Sequence, residues 1–322
     1  MWVYRRIFNS IVRMVRMIDS RLRTLRVLRE TGTITAAAES LHLTPSTVSQ
    51  QLRQLSADLD ITLLEPVGRK VKLTPAAYTL LEHGDRLFTQ WERAMSDLAA
   101  HREGLAGHLR ISAVASALAA LVAPAVTELA QQYPHMTLHV GEDPEEDRFQ
   151  LLLAREIDVA VTIPATGTPS PDDERFEQHA LLEEPQDLLV PQEHPIARNG
   201  SAELTELAEA RWLRAGDPRD QHQLLLTACA AAGFVPRVTH NAVDWFAVSA
   251  LVASGLGICL IPRLAPIPEG LAVTRVPLRG ETRPTRQIVA CVRRGSSDQG
   301  AIGRGLTALR STASRWAAEH SG

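Results

Sequence analysis

Ser46, Ser49, Gln50 and Arg53 share one stripe if residues 45–55 are helical, and each can donate a hydrogen bond. Short polar donors on one helix face suit base edges, because a major groove is wide enough to admit a single helix. Farther along, Arg69, Lys70 and Lys72 bring three cations together, and Lys70 and Lys72 are the only lysines in the chain. Cations beside such a helix neutralise phosphates and set register on a duplex without reading sequence. The competing reading is a polar face and a cationic strand that merely meet water. Periodicity alone favours that plainer reading for the helix. The adjoining cationic strand shifts the balance towards nucleic acid.

The elements that would position these residues are legible. Thr44 can cap a helix whose first position is Pro45, where no backbone donor is needed. Val48, Leu52, Leu55 and Leu59 recur at helical spacing and predict a buried seam. Ile34, Ala37, Ala38 and Leu41 predict a preceding helix, with small alanines allowing close approach. Only Leu41-His42-Leu43 separates the two, the short connection of a helix-turn-helix. Gly68 to Thr74 alternates, with Val71 and Leu73 on one side and Lys70, Lys72 and Thr74 on the other, as in a half-buried strand after a tight turn.

With these motifs in place, residues 17–74 resemble the winged helix-turn-helix of LysR-type transcriptional regulators. The matches are Leu25-Arg26-Val27-Leu28, Gly32 to Glu39, Leu41 to Thr44, Val48 to Leu52, Leu63-Leu64-Glu65 and Gly68 to Thr74. Pro45-Ser46, Pro66 and Ala77 stand where that family often has Gln-Pro, arginine and glycine. The resemblance implies DNA contacts from Thr35, Thr44, Pro45, Ser46, Thr47, Ser49, Gln50, Arg53, Arg69, Lys70 and Lys72. It implies a bacterial transcription regulator acting on promoter DNA in the cytoplasm, with RNA polymerase as a further partner that role admits.

Length and charge agree. The 322 residues suit about two domains or a little more. Through Arg110 the chain carries 16 Lys+Arg against 11 Asp+Glu, and the remainder 18 against 26, within a net charge of −3. A basic front and an acidic back fit a DNA module joined to one that should not bind phosphate. Cys229, Cys259 and Cys291 are odd in number, far apart and in no metal-ligand spacing, which argues for a reducing compartment and no metal. Cys259 lies in an apolar run and reads as a small buried hydrophobe. No apolar run spans a bilayer. Residues 1–16 alternate arginines with apolar side chains; we read them as an N-terminal extension of little consequence rather than a membrane-surface helix.

Thr74-Pro75 repeats the cap-plus-proline device and opens a long helix over 75–104. Leu80, Leu81, Leu87, Phe88, Trp91, Met95 and Leu98 are expected on one stripe, and the resemblance implies a homodimer through it, paired into a tetramer. Gly104 to Gly107 is the expected hinge. Residues 108–316 then read strand-helix-strand twice over, which argues for an α/β layer. With Leu109-Arg110-Ile111, Tyr133-Pro134, Ile157 to Ala160, His194-Pro195 and Gly255 to Ile258, they resemble the family's two-lobed effector domain, itself similar to type 2 periplasmic binding proteins. The expected division is lobe I at about 108–178 and 278–316, and lobe II at about 179–277, with crossings between Ile163 and Leu181 and near Val276. Lobe I is expected to hold one helix over 117–132, begun by a Ser116 cap.

In such folds a ligand binds beyond the carboxyl ends of strands. That marks Ala115, Ser116, Thr162, Pro164, Gly216, Asp217, Asn241 and Asp244, each of which also reads singly as a cap or turn residue. Asp217 and Asp244 would suit an amine on the effector. No phosphate-cradling loop, nucleophile elbow or two-histidine metal helix occurs, so no catalytic residue, metal or cofactor is assigned. Three functions remain open: a regulator answering to a small molecule, a binding protein or enzyme assembled by its front module, and a regulator sensing oxidants through Cys229, Cys259 or Cys291.

Overall fold

The computed structural model describes residues 19–67, 70–100, 107–142, 147–165, 168–217, 220–280 and 283–320, with backbone alone for Lys70, Arg93 and residues 95–100. The expectations for residues 1–16, for Gly68 and Arg69, for hinge residues 104–106, and for the side chains of Lys70, Met95 and Leu98 lie outside the described residues.

The first module is three helices and a hairpin. Helix α1 (Ser20–Thr31) starts at Asp19, whose side chain accepts from the Arg21 amide. It ends at Gly32, whose φ of +72° lets its N–H reach the Leu28 carbonyl. Helix α2 (Ile34–Ser40) is capped by Thr33 and α3 (Pro45–Asp58) by Thr44. Between them His42 takes a left-handed φ of +52° and turns the chain. Leu25, Leu28, Ala37, Ala38, Val48, Leu52 and Leu55 meet in the core, each large one contributing about 1.5–3 kcal/mol by burial. Leu59 departs from the expected seam: α3 stops at Asp58, and Leu59 is 42% exposed at its C-cap. Strands β1 (Leu64–Val67) and β2 (Lys70–Leu73) pair antiparallel as the wing, with Val71 and Leu73 against the core.

Helix α4 (Pro75–Ala100) corrects the expected single stripe, because its apolar residues divide between two faces. Ala77 and Leu81 lie in the first module's own core, and Leu81 is 2% exposed, leaving no surface for a second subunit. Phe88 packs against that core beneath the Arg26 guanidinium, 5.0 Å away. Leu80 is half-buried and also packs against that core, whereas Leu87 is 54% exposed on the other face, with Trp91 half-buried.

The second module begins with β3 (His108–Ala113), a helical run α5 (115–132), β4 (Thr137–Gly141), α6 (Arg148–Leu153) and β5 (Val159–Thr162). Strand β3 pairs parallel with β4 and β5, and β5 is buried at every residue, as a strand covered on both faces should be. The helix expected over 117–132 is interrupted by a π turn at Leu118–Val122 just before Pro124. Strand β6 (Phe176–Pro191) then runs unbroken between lobes. The second lobe holds β7 (Arg211–Ala215), α7 (Gln221–Ala231), β8 (Arg237–Ala242), α8 (Trp245–Ala253), β9 (Cys259–Pro262) and β10 (Val273–Pro277). Strand β11 (Thr285–Arg293) returns antiparallel to β6 and β5, and α9 (Gly300–Glu319) closes the first lobe. One half of β6 pairs with β11, the other with β9 and β10.

An ion-pair network joins α4 to the first lobe. Glu92, 3% exposed, accepts from Arg293 Nε at 3.2 Å, from Gln299 Nε2 at 2.6 Å and from Arg155. Arg293, the last residue of β11, also donates to the Leu152 and Ile157 carbonyls at 3.1 and 2.8 Å. Such groups tolerate burial because their donors and acceptors are matched.

Candidate nucleic-acid interface and effector cleft

Helix α3 presents its two faces as the heptad of leucines and polar residues demands. Val48, Leu52 and Leu55 are buried, while Ser46, Gln50 and Arg53 are exposed and Thr47 and Ser49 half-exposed. Its first turn is tightly held: the Thr44 hydroxyl accepts the Thr47 amide at 3.2 Å and lies 2.8 Å from both the Ser46 and Thr47 hydroxyls. Arg53 folds back along the helix, its Nε donating to the Ser49 carbonyl at 3.3 Å. Gln51 faces the other way and accepts from Thr24 Oγ1 at 2.6 Å, so it braces α3 on α1. Thr35 is exposed on α2, and Lys72 is exposed on β2. The polar stripe, Thr35 and Lys72 are thus free for a duplex.

The effector residues expected from sequence are less uniform. Ser116 is not the helix cap; Val114 occupies that position without a side-chain bond. Ser116 Oγ instead accepts from Arg286 Nη2 at 2.7 Å. Thr162 is buried opposite Val289 on β11, and Ala115 and Pro164 are exposed beside it at the strand ends. In the second lobe, Gly216 needs its φ of +71°, and a Cβ there would come within 3.2 Å of Gln221 Cβ. Asp217 accepts the Gln221 amide through its carbonyl at 3.1 Å. Asp244 caps α8 by accepting the Ala247 amide at 3.0 Å, and Asn241 is exposed on β8. One oxygen of Asp244 thus serves its helix.

What joins the lobes is a buried polar cluster that sequence reasoning missed. Arg286 on β11 donates from Nε to Glu184 Oε2 at 2.7 Å, across the strand pair from its register partner. Its Nη1 lies 3.4 Å from Gln221 Oε1, at the start of α7 in the second lobe. Gln221 Nε2 donates to Gln186 Oε1 at 2.8 Å. Arg286 thus touches Ser116 of one lobe and Gln221 of the other from the strands that cross between them. Polar residues in a strand read as solvent-facing, and only the pairing of β6 with β11 reveals that these are buried.

The thiols are placed for packing. Cys229, Cys259 and Cys291 are free and buried, and burial pushes each up to about 12. Oxidant chemistry needs an accessible thiolate, so none of the three suits the redox-sensing alternative. Among the described residues no His/Cys/Asp/Glu cluster could hold a metal ion, and no helix is long and apolar enough to cross a membrane.

A winged helix-turn-helix with an exposed polar face, joined to a two-lobed α/β module with a polar cluster at its crossing strands, defines a DNA-binding regulator with a ligand domain. The family model for the LysR substrate binding domain matches residues 102–314, and that for the bacterial regulatory helix-turn-helix protein of the lysR family matches residues 20–78. The chain belongs to the LysR family of DNA-binding transcriptional regulators. It is 26% identical to the transcriptional dual regulator GltC of Bacillus subtilis over 67% of this chain and 71% of that one. It is 28% identical to the RuBisCO operon transcriptional regulator of Allochromatium vinosum, over 74% and 78%. It is 26% identical to the DNA-binding transcriptional dual regulator OxyR of Escherichia coli, over 72% and 75%. Among solved structures, a full-length OxyR variant of Pseudomonas aeruginosa aligns with a TM-score of 0.61 at 20% identity, covering 92% of this chain and 94% of that one. Full-length CbnR complexed with its target DNA aligns at 0.56 and 20%, covering 92% and 99%.

Proposed function

We propose that α3 is the helix that reads base edges, through Ser46, Thr47, Ser49, Gln50 and Arg53, with Thr44 and Pro45 fixing its start. Thr35 and the wing cations Arg69, Lys70 and Lys72 take phosphates. The observation that carries this is the exposed polar stripe on a capped helix whose opposite face is wholly buried beside a cationic wing. Residues 17–74 form the DNA module, 75–104 the linker and 108–316 the effector module. Two subunits pair along the outer face of α4, through Leu87 and Trp91 with Met95 and Leu98 continuing the row, so that two reading helices meet two half-sites. Dimers pair into a tetramer. The protein works in the cytoplasm as a regulator and catalyses no reaction.

A small molecule enters between the lobes, bordered by Ser116 and Thr162, and changes how the lobes close. Strand β11 supports a route for that change: it carries Arg286 in the cleft and ends at Arg293, which holds Glu92 of the linker helix. Footprinting of the promoter beside its own gene, with and without candidate metabolites, tests the whole reading. A protected, salt-sensitive site whose extent changes with one metabolite is expected. Indifference to every duplex at low ionic strength would overturn it.

A further inference from the structure

We propose that the cleft receives a carboxylate, held by the terminal nitrogens of Arg286, the Ser116 hydroxyl and the Gln186 amide, so that the effector is a small organic acid. This rests on the reading of the cleft as the effector site. Hydrogen-bonding capacity there is unevenly spent. A guanidinium can only donate, so Arg286 obliges Gln221 to turn its oxygen towards it. Gln221 Nε2 then faces Gln186 Oε1 at 2.8 Å and the Leu260 carbonyl at 3.4 Å. Gln186 is left with its Nε2 unpartnered although the residue is 0% exposed. The acceptors of the cluster are meanwhile taken. Glu184 gives Oε2 to Arg286 and Oε1 to the Leu264 amide at 2.6 Å. Gln186 and Gln221 have each given up their oxygen.

What remains are donors: an N–H on each terminal nitrogen of Arg286, the Ser116 O–H and the Gln186 amide. A buried donor without an acceptor is costly, so an acceptor belongs beside this set. An amine would bring more donors. A carboxylate brings acceptors alone, in the planar two-oxygen form that matches the paired terminal nitrogens of arginine. One negative charge suits the cleft better than two. Glu184 already faces Arg286. Asp220, capping α7, has its carboxyl pushed up by burial while Arg286 pulls it down, so the positive charge of Arg286 reaches across to the second lobe. Asp244, one of the two acids that suggested an amine, accepts the Ala247 amide on one carboxylate oxygen.

Calorimetric titration and thermal unfolding of the full-length protein test the assignment. The probes are acetate, butyrate and phenylacetate at millimolar concentration, against acetamide, butylamine and inorganic phosphate. Saturable binding and a raised Tm are expected from at least one carboxylate and from neither the amide nor the amine. The double variant Arg286→Gln/Glu184→Gln removes both charges, so no lone ion stays buried. It should bind that carboxylate roughly ten- to a hundredfold more weakly, with circular dichroism and cooperative unfolding reporting that it folds. Ser116→Ala, which removes one partner of Arg286 but no charge, should weaken binding several-fold and serves if the double variant does not fold. Binding of the amine, the amide or phosphate in preference to every carboxylate overturns the assignment. So does carboxylate binding that ignores these substitutions, or no binding by any probe. The effector reading itself fails by a separate observation: promoter binding unaltered by any small molecule that does bind.

Discussion

Arg53 and Gln50 lie on the exposed stripe of α3, whereas their neighbour Gln51 is turned inward to Thr24. Substituting them should therefore have separable effects. Arg53→Ala and Gln50→Ala should relax base preference by about 1–3 kcal/mol for each lost bidentate contact, measured by binding to a randomised operator pool. Lys72→Ala should weaken every duplex alike and reduce the salt slope by about one. If base preference survives both helix substitutions, a different element reads the operator. The thiols make a second prediction. Cys259 has an ordinary value of 9.0 and is pushed up to about 12 by burial. Below the ordinary value both folded and unfolded chains keep the proton, so the thiol's contribution is complete. Above it the unfolded chain ionises first, and stability is lost as pH rises towards the folded value. Urea unfolding should show a fall of up to about 1.4 kcal/mol per pH unit from this thiol within that window. Cys259→Ala should remove that share of the slope. Peroxide should leave promoter binding unchanged, because a buried protonated thiol is a poor nucleophile.

Helix α4 carries two rows in different surroundings, and substitution should separate them. Leu87 is exposed and Leu81 is in the core of the first module. Leu87→Asp should leave the fold intact and shift sedimentation towards monomer. Leu81→Ala should instead lower stability by about 2–5 kcal/mol, the range for a large-to-small core change. A folded dimer of Leu87→Asp would place the subunit contact elsewhere. The inner row ends at Glu92, which sits among Arg293, Arg155 and Gln299. Glu92→Gln keeps the shape and removes the charge, leaving the half-buried Arg155 without this carboxylate and the buried Arg293 with Asp158 alone, 3.4 Å away. We expect loss of about 3–5 kcal/mol if the network stays closed, or a freed linker if it opens. In the second case the duplex is still bound, and a bound effector no longer alters the affinity. Either outcome is read by unfolding together with fluorescence anisotropy. Unchanged stability with unchanged effector response would remove Glu92 from the coupling.

Across the whole molecule, chain segments that are distant in sequence meet between the two lobes. Ser116, Glu184, Gln221 and Arg286 come from four separate stretches and share one cluster. The basic front and acidic back predict steep weakening of duplex binding with salt, because phosphate contacts release counter-ions. The helix-turn-helix, its cap, its wing and the α/β order were readable in the linear chain, since each is set by local spacing: Thr44 before Pro45, Val48 to Leu55 at helical period, Val71 and Leu73 alternating. The two-faced use of α4 was not readable, because a helix stripe states only that something covers it. The first half of β6 and strands β7 and β10 were missed for a related reason: their polar or mixed residues make sense only beside the strands they pair with. The sequence by itself thus determined the family, the helix-turn-helix and the two-module plan, because those follow from short-range periodicity and capping. Tertiary structure alone decided which leucine is left exposed, which serine accepts an arginine and which amide is left unspent, because hydrogen-bond matching and burial are settled between segments far apart along the chain.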